Sequence, residues 1–220
     1  MSVSIIIPAL NAAESIGATL ASAAGVDEII VVDGGSSDAT VAVAEAAGAR
    51  VITAPRGRGR QLAAGAAAAR SAWLLFLHAD TVLATGWLGV AHAHMASARG
   101  TAAVFRFALD DVSWQARLLE RGVDLRTRWL GLPYGDQGLL TDRELYDTLG
   151  GYRPMPIMED VDLVRRIGAK RLVQLACAAT TSAARWRRRG WMRQSMSNQF
   201  CLALYFLGVA PERIRRLYER

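Results

Sequence analysis

The feature that most constrains this chain is a rhythm in its first eighty residues. Short β-rich runs at 3–7, 28–32, 50–53 and 73–77 alternate with segments of helical character at 14–24, 38–48 and 61–71. Such runs are apolar at nearly every position rather than every second one, so a strand formed from them must bury both faces. Separated by helices, they predict an α/β fold with a mostly parallel, Rossmann-like central sheet flanked by helices. Pro8 is expected to stop the first strand and Gly48 the second helix. The polar residues fall at matching places. Pro8-Ala9-Leu10-Asn11, Asp33-Gly34-Gly35-Ser36 and His78-Ala79-Asp80 each follow directly on a strand. Ligands of open α/β sheets bind beyond the carboxyl ends of the strands. Three polar clusters therefore converge on one edge of the sheet.

The second half is less regular. A strand at 100–109 and a helix at 113–129 precede a loop at 131–138 and a helix at 142–149, which stops at Gly150-Gly151. Pro154 and Pro156 hold 153–158 extended before Glu159-Asp160-Val161-Asp162 enters a helix, and 170–175 reads as the last strand. From 187 onward an arginine-rich segment gives way to an amphipathic-to-apolar helix. The 220 residues, 52% hydrophobic, suit one well-packed domain with a small appendage. The one boundary falls at 185–190, which divides a domain at 1–184 from a helical extension at 185–220.

The formal charge of +6 comes almost wholly from arginine, since Lys170 is the only lysine. Arginines gather at 56–60 and 185–193, and the planar guanidinium suits phosphate. Cys177 and Cys201 match no metal-ligand spacing and read as buried thiols rather than a disulfide. The apolar run after Met1 is unlike a signal peptide, and 200–210 is too short to span a bilayer. A cytoplasmic location is expected. For the C-terminal segment, a helix that packs on the domain is favoured over one that docks on acidic lipid.

Nucleotide fingerprints are absent: no G-x-G-x-x-G follows the first strand, and no lysine-bearing phosphate loop exists. Ser36 and Asp38 can cap the following helix, which leaves Asp33 for a ligand. The stretch 56–61 reads equally as an anion-binding loop or a solvated basic one. Asp80, at the end of a buried strand, can hold a divalent cation through oxygen. His78 projects to the same side and is a candidate ligand or phosphate partner. Glu159 and Asp160 fit either an acidic helix N-terminus or a general base with its neighbour.

Taken together these residues resemble the family-2 glycosyltransferases, which have the GT-A fold. Residues 4–11 with Glu14 look like that family's first strand and loop, and 28–40 is very similar to its second nucleotide-binding element. His78-Ala79-Asp80 occupies the place of its D-x-D segment. Gly150-Gly151-Tyr152 followed by Glu159-Asp160 resembles its acceptor-side motif, and Gly135-Asp136-Gln137 with Arg185-Trp186 looks like a small bacterial subgroup. The resemblance implies an inverting transfer from a nucleoside-diphosphate sugar, a UDP-sugar foremost, to the hydroxyl of an unspecified acceptor, with no nucleic acid involved. Pro8, Ala9, Asn11, Glu14, Asp33, Gly34, Arg60, Gln61 and Ala79 would serve the nucleotide. Asp80, with His78 beside it, would serve a Mg²⁺ or Mn²⁺ ion. Asp160 would deprotonate the acceptor, supported by Glu159, with Gly135, Asp136, Gln137 and Gly151 on the acceptor side. His78 stands where the family usually has an aspartate. Two rivals are a nucleotidyltransferase, opposed by the missing phosphate loop, and a non-catalytic sugar-nucleotide-binding protein, for which His78 is the hint.

Overall fold

Alternation inside the apolar runs decides which residues face which layer. The computed structural model describes residues 2–218, so Met1 and positions 219–220 of the two expected ranges lie outside the described residues. Strand β1 (Val3–Ala9) is flanked by β2 (Glu28–Asp33) and β4 (Trp73–Phe76), with β3 (Arg50–Thr53) beyond β2, and these pairings are all parallel. Ile5, Ile7, Val31 and Leu75 enter one buried cluster, while Ile6, Ile30, Val32 and Leu74 enter another. The first is closed by α1 (Ala13–Ser22), α2 (Thr40–Ala46) and α4 (Trp87–Ser97) through Leu20, Ala44, Trp87 and Met95. The second is closed by α3 (Arg58–Ala68), α6 (Arg143–Thr148) and α7 (Glu159–Ile167) through Leu62, Ala66, Leu145 and Leu163. A strand buried on both sides leaves polar residues mainly its ends; the one buried near the start of β1, Ser4, donates to Glu28 at 2.7 Å.

Pro8 does not stop β1. Its pairing with β4 ends at Ile6, so the missing N–H falls where β1 has a neighbour on one side only. Gly65 sets how closely α3 lies on the sheet: a Cβ there would come within 2.3 Å of Ile6 Cγ2 and 2.9 Å of Val32 Cγ2.

The second half adds antiparallel strands to a sheet whose pairings are otherwise parallel. The strand order is β3-β2-β1-β4-β7-β6-β8-β5. Strand β7 (Leu139–Asp142) lies antiparallel between β4 and β6 (Ala102–Leu109), β8 (Leu172–Thr181) runs parallel to β6, and β5 (Thr81–Leu83) is antiparallel to β8. The sheet is mixed. Strands β5 and β7 and helix α4 were not anticipated; the strands are three and four residues long and lack the continuous apolar run that marks the equally short β4. Asp142 ends β7 and also caps α6, accepting from the Leu145 amide at 2.7 Å. Strand β8 extends well past 170–175, through alanines and threonines that carry no apolar signal.

Helix α5 (Trp114–Leu130), capped by Ser113, packs on β6, and α8 (Ala184–Arg189), α9 (Trp191–Phe206) and α10 (Pro211–Tyr218) complete the chain. Cys177 and Cys201 are buried free thiols, as expected. Among the described residues no helix is long and apolar enough to cross a membrane.

Candidate active site

The ends of β1, β2 and β4 meet at one edge, and side chains lace their loops together. Asn11, at φ +50°, takes the Ser37 amide on its side-chain oxygen at 2.9 Å, while its own amide donates to Ser36 Oγ at 2.9 Å. Gln61 is 4% exposed and donates its side-chain amide to the Ala9 and Val32 carbonyls at 2.9 and 2.8 Å. It rivets β1 to β2. Asp33 is not left free by the capping candidates, which corrects that expectation. Its carboxylate accepts from the Gly35 amide at 2.9 Å and from the Ser36 amide and hydroxyl at 3.0 and 2.5 Å. Asp38 serves the start of α2 instead, accepting from the Thr40 amide at 3.0 Å.

A cleft of about 1110 Å³ opens over this edge. Its walls include Pro8, Ala9 and Asn11 beyond β1, Arg60 and Gln61 on α3, and His78, Ala79 and Asp80 beyond β4. Gly135 and Asp136, from a short 3-10 turn, face Glu159 and Asp160 at the start of α7. Expected residues that do not reach the lining are Glu14, Asp33, Gly34, Gln137 and Gly151. Glu14 is exposed on the first turn of α1, and Gly34 backs onto the Gln61 side chain. Gln137 is fully buried, donating to the Phe105 carbonyl at 3.1 Å and accepting from Thr127 Oγ1 at 3.0 Å, so it braces the core. Gly151 lies under the Tyr146 ring at φ +57°, its carbonyl taken by Arg166 at 2.7 Å.

The charges on the floor are arranged in a chain. Glu159 is 1% exposed and ion-pairs with Arg58 Nε at 2.9 Å. Burial raises its pKa, against the pull of Arg58. Arg58 Nη1 also lies 3.2 Å from His78 Nε2. A guanidinium can only donate, so Nε2 accepts and the imidazole proton sits on Nδ1. Burial, with Arg58 and Arg185 nearby, pushes the His78 pKa down to about 3. The imidazole is neutral, and the lone pair expected for a metal is turned to arginine.

Asp160 is held differently. Its Oδ2 accepts from the Gly135 amide at 2.8 Å and its Oδ1 from the Val161 amide at 2.8 Å. Met158, at φ +66°, makes the left-handed turn that starts α7 here, a strain of order 1–3 kcal/mol for a side-chain-bearing residue. Gly135 is required for the approach, because a Cβ there would lie 2.7 Å from His78 Nε2. Asp136 is pushed up to about 6 by burial, reinforced by Asp160 and Asp80 against Arg126. Its Oδ1 and the Tyr134 hydroxyl are buried without a hydrogen-bond partner. Asp80 is exposed, with only a 3.5 Å contact from Thr181 Oγ1. Among the described residues no group of three or more His, Cys, Asp or Glu surrounds one point.

Sequence reasoning missed Arg58 as an individual, Tyr134, and the wall supplied by the tail. Arg185, Arg188, Arg215 and Tyr218 all line the same cleft as Arg56, Arg58 and Arg60. The two arginine clusters in the sequence were the available signal, but nothing in the linear order says that they meet.

A family model described as Glycosyl transferase family 2 matches residues 4–156. Among solved structures, glucosyl-3-phosphoglycerate synthase from Mycobacterium tuberculosis in complex with Mn²⁺, uridine-diphosphate and glucosyl-3-phosphoglycerate is similar at 22% identity and TM-score 0.59, over 82% of this chain and 70% of that one. The same enzyme with Mg²⁺ and uridine-diphosphate gives 23% and 0.60, over 82% and 69%. A mycobacterial protein gives 24% and 0.56, over 82% and 65%. No curated protein matches significantly. The shared architecture is the GT-A fold.

Proposed function

The chain belongs to glycosyl transferase family 2, and on that premise we propose that it transfers a sugar from a nucleoside-diphosphate sugar, a UDP-sugar foremost, to an acceptor hydroxyl with inversion. The observation that carries this reading is one cleft holding an exposed carboxylate at Asp80, a hydrogen-bonded one at Asp160 and arginines from both halves of the chain. The similar M. tuberculosis enzyme has been crystallised with uridine-diphosphate and Mn²⁺ or Mg²⁺, which supports the same donor class here.

In this reading the nucleoside rests on Pro8, Ala9 and Asn11, with Glu14 at the rim and Asp33 and Gly34 shaping the loop from beneath. Arg60 and its neighbours receive the diphosphate, Gln61 fixes the strand ends under it, and Ala79 leaves it room. Asp160 takes the proton of the acceptor hydroxyl as its oxygen attacks the anomeric carbon from the face opposite the donor phosphate. The bond to the phosphate oxygen breaks, and its electron pair leaves with the nucleoside diphosphate. Glu159 anchors Arg58, which holds His78 neutral and in place below Gly135. Gly135 and Asp136 form the acceptor wall.

Asp80 suits a hard divalent cation: its carboxylate is exposed in the cleft, and a Mg²⁺ or Mn²⁺ ion bound there would take its other oxygens from the diphosphate and water. Held by Asp80, such an ion would supply positive charge to offset what develops on the leaving group.

A panel of sugar nucleotides, with release of nucleoside diphosphate as the readout, tests the reading. Turnover of at least one donor is expected. Pyrophosphate release from nucleoside triphosphates, with no turnover of any sugar nucleotide, would overturn it.

A further inference from the structure

Surface helices normally turn apolar residues inward and polar residues to water. Helices α5 and α9 do both at once. On α5 the buried side is Ala116, Val123 and Thr127, and the opposite side carries Trp114, Leu118, Leu125 and Trp129, which are 71%, 62%, 53% and 82% exposed. Their spacing of four, seven and four keeps them on one stripe. On α9 the buried side is Gln194 and Cys201, and the opposite side presents Met192, Met196, Phe200 and, just past its end, Leu207. Of the exposed large apolar side chains among the described residues, all but Val82 and Val173 lie on α5, α9, α10 or residues adjoining them. Leu119 of α5 and Trp191 of α9 pack on the same buried cluster, so the two helices share a base.

The charges on these helices say what covers the stripes. Both acids of α5 are occupied by the protein: Glu120 takes the Leu109 amide at 2.8 Å and Arg117 at 2.7 Å, while Asp124 pairs with Arg128 and Gln174 at 3.1 and 3.0 Å. Arg121 is exposed within the α5 stripe. Helix α9 contains no acidic residue and carries Arg193 beside its stripe. Exposed Trp and Leu interleaved with arginine match the headgroup region of an acidic bilayer, where indole rings and guanidinium groups are both favoured. A symmetric second copy fits less well, since a two-fold interface would set each arginine-bearing stripe against its own like charges.

We propose that α5 and α9 form a docking face for the surface of a membrane containing anionic lipid. The reading is independent of the sugar transfer proposed above; it takes up the lipid-docking alternative for the C-terminal segment, which the sequence favoured less, and adds α5 to it. Asn198 of α9 lines the cleft, so a chain seated through α9 would hold its cleft about one helix diameter, roughly 10 Å, from the headgroups.

Flotation of the full chain with phosphatidylcholine vesicles, with and without phosphatidylglycerol, tests this without any need for turnover. Binding is expected only to the anionic vesicles, with release as salt approaches about 0.5 M. The double variants Leu118→Ser with Trp129→Ser, and Met196→Ser with Phe200→Ser, should each weaken binding by about tenfold. Arg121→Glu should weaken it without removing apolar area. All change exposed side chains, so unchanged melting curves will show that they fold. No binding to anionic vesicles at low salt, or binding indifferent to all three variants, would overturn the proposal. So would the finding that these substitutions dissolve a dimer while the wild type ignores vesicles.

Discussion

Asp160 differs from the other acids of the cleft in having both oxygens already engaged by backbone amides, from Gly135 and Val161. Those donors fix its direction and leave lone pairs for one more proton. Asp160→Asn keeps the shape but removes the charge that accepts a proton, and its amide NH₂ must face one of the two N–H groups. Turnover should fall by about a thousandfold, while calorimetric titration with uridine-diphosphate stays near wild type. Near-normal turnover would remove Asp160 from the chemistry. Asp136 makes a prediction of opposite sign for stability. Its pKa rises from an ordinary 3.8 to about 6 on folding, so between those values the folded state holds more protons than the unfolded one. Stability from this group therefore falls as pH climbs through the window and stays reduced above it. Asp136→Asn should remove that dependence and raise stability at pH 7 by on the order of 2 kcal/mol, as read from urea melts at pH 4 and pH 7. An unchanged difference between the two pH values would show that Asp136 is solvated. Asp80 was legible in the sequence because a charge at the end of an apolar strand needs a reason, whereas Asp160 and Asp136 received their roles through the family resemblance. The partners of the cleft's charges were not: Glu159 meets Arg58, and Asp160 meets Gly135 across 25 residues of chain.

At the scale of elements, the closeness of α3 to β1 decides whether Arg58 can reach Glu159. Helix α3 is preceded by Gly57, at φ +137°, and Gly59 faces the Arg153 carbonyl so closely that a Cβ would fall 2.3 Å from it. Gly65 has the same relation to Ile6, where a Cβ would also fall at 2.3 Å. Gly65→Ala would have to lift the helix off the sheet, at a cost of about 1–3 kcal/mol. The control is Gly89→Ala on α4, whose Cβ would meet nothing within 4 Å, and where alanine favours the helix by about 1 kcal/mol. Opposite shifts in melting temperature are expected, with turnover reduced only in the first. If both variants melt alike, the α3–β1 contact is less tight than its geometry implies. Strands β1, β2 and β4 were readable because double-sided burial writes itself as continuous apolar sequence, and the edge strand β3 through its adjacent Val51 and Ile52. Strand β7 was hidden because its four residues run directly into α6 through the shared Asp142.

For the molecule as a whole, the informative fact is that the cleft has walls from both ends of the chain. Arg56, Arg58 and Arg60 approach from the start of α3, and Arg185, Arg188 and Arg215 from the tail helices. Composition reported an arginine excess, but docking of the tail depends on Trp186, Cys201 and Ile214 finding buried places, which no local pattern specifies. Two arginine groups facing one space repel each other, so an anion between them should bind with strong salt dependence and should stabilise the fold. Uridine-diphosphate with Mn²⁺ is therefore expected to raise the melting temperature, and less so as ionic strength increases. Arg60→Ala and Arg188→Ala remove one exposed guanidinium from each wall. Each should weaken that ligand by about tenfold, as expected for a lost charge-assisted contact to phosphate, with little change in melting temperature when no ligand is present. If only Arg60→Ala does so, the donor anion sits against α3 alone, and the tail arginines belong to the acceptor. In that case Arg188→Ala should raise the acceptor KM while leaving the thermal shift intact. If Arg188→Ala alters neither quantity, the tail covers the cleft without contacting what binds there.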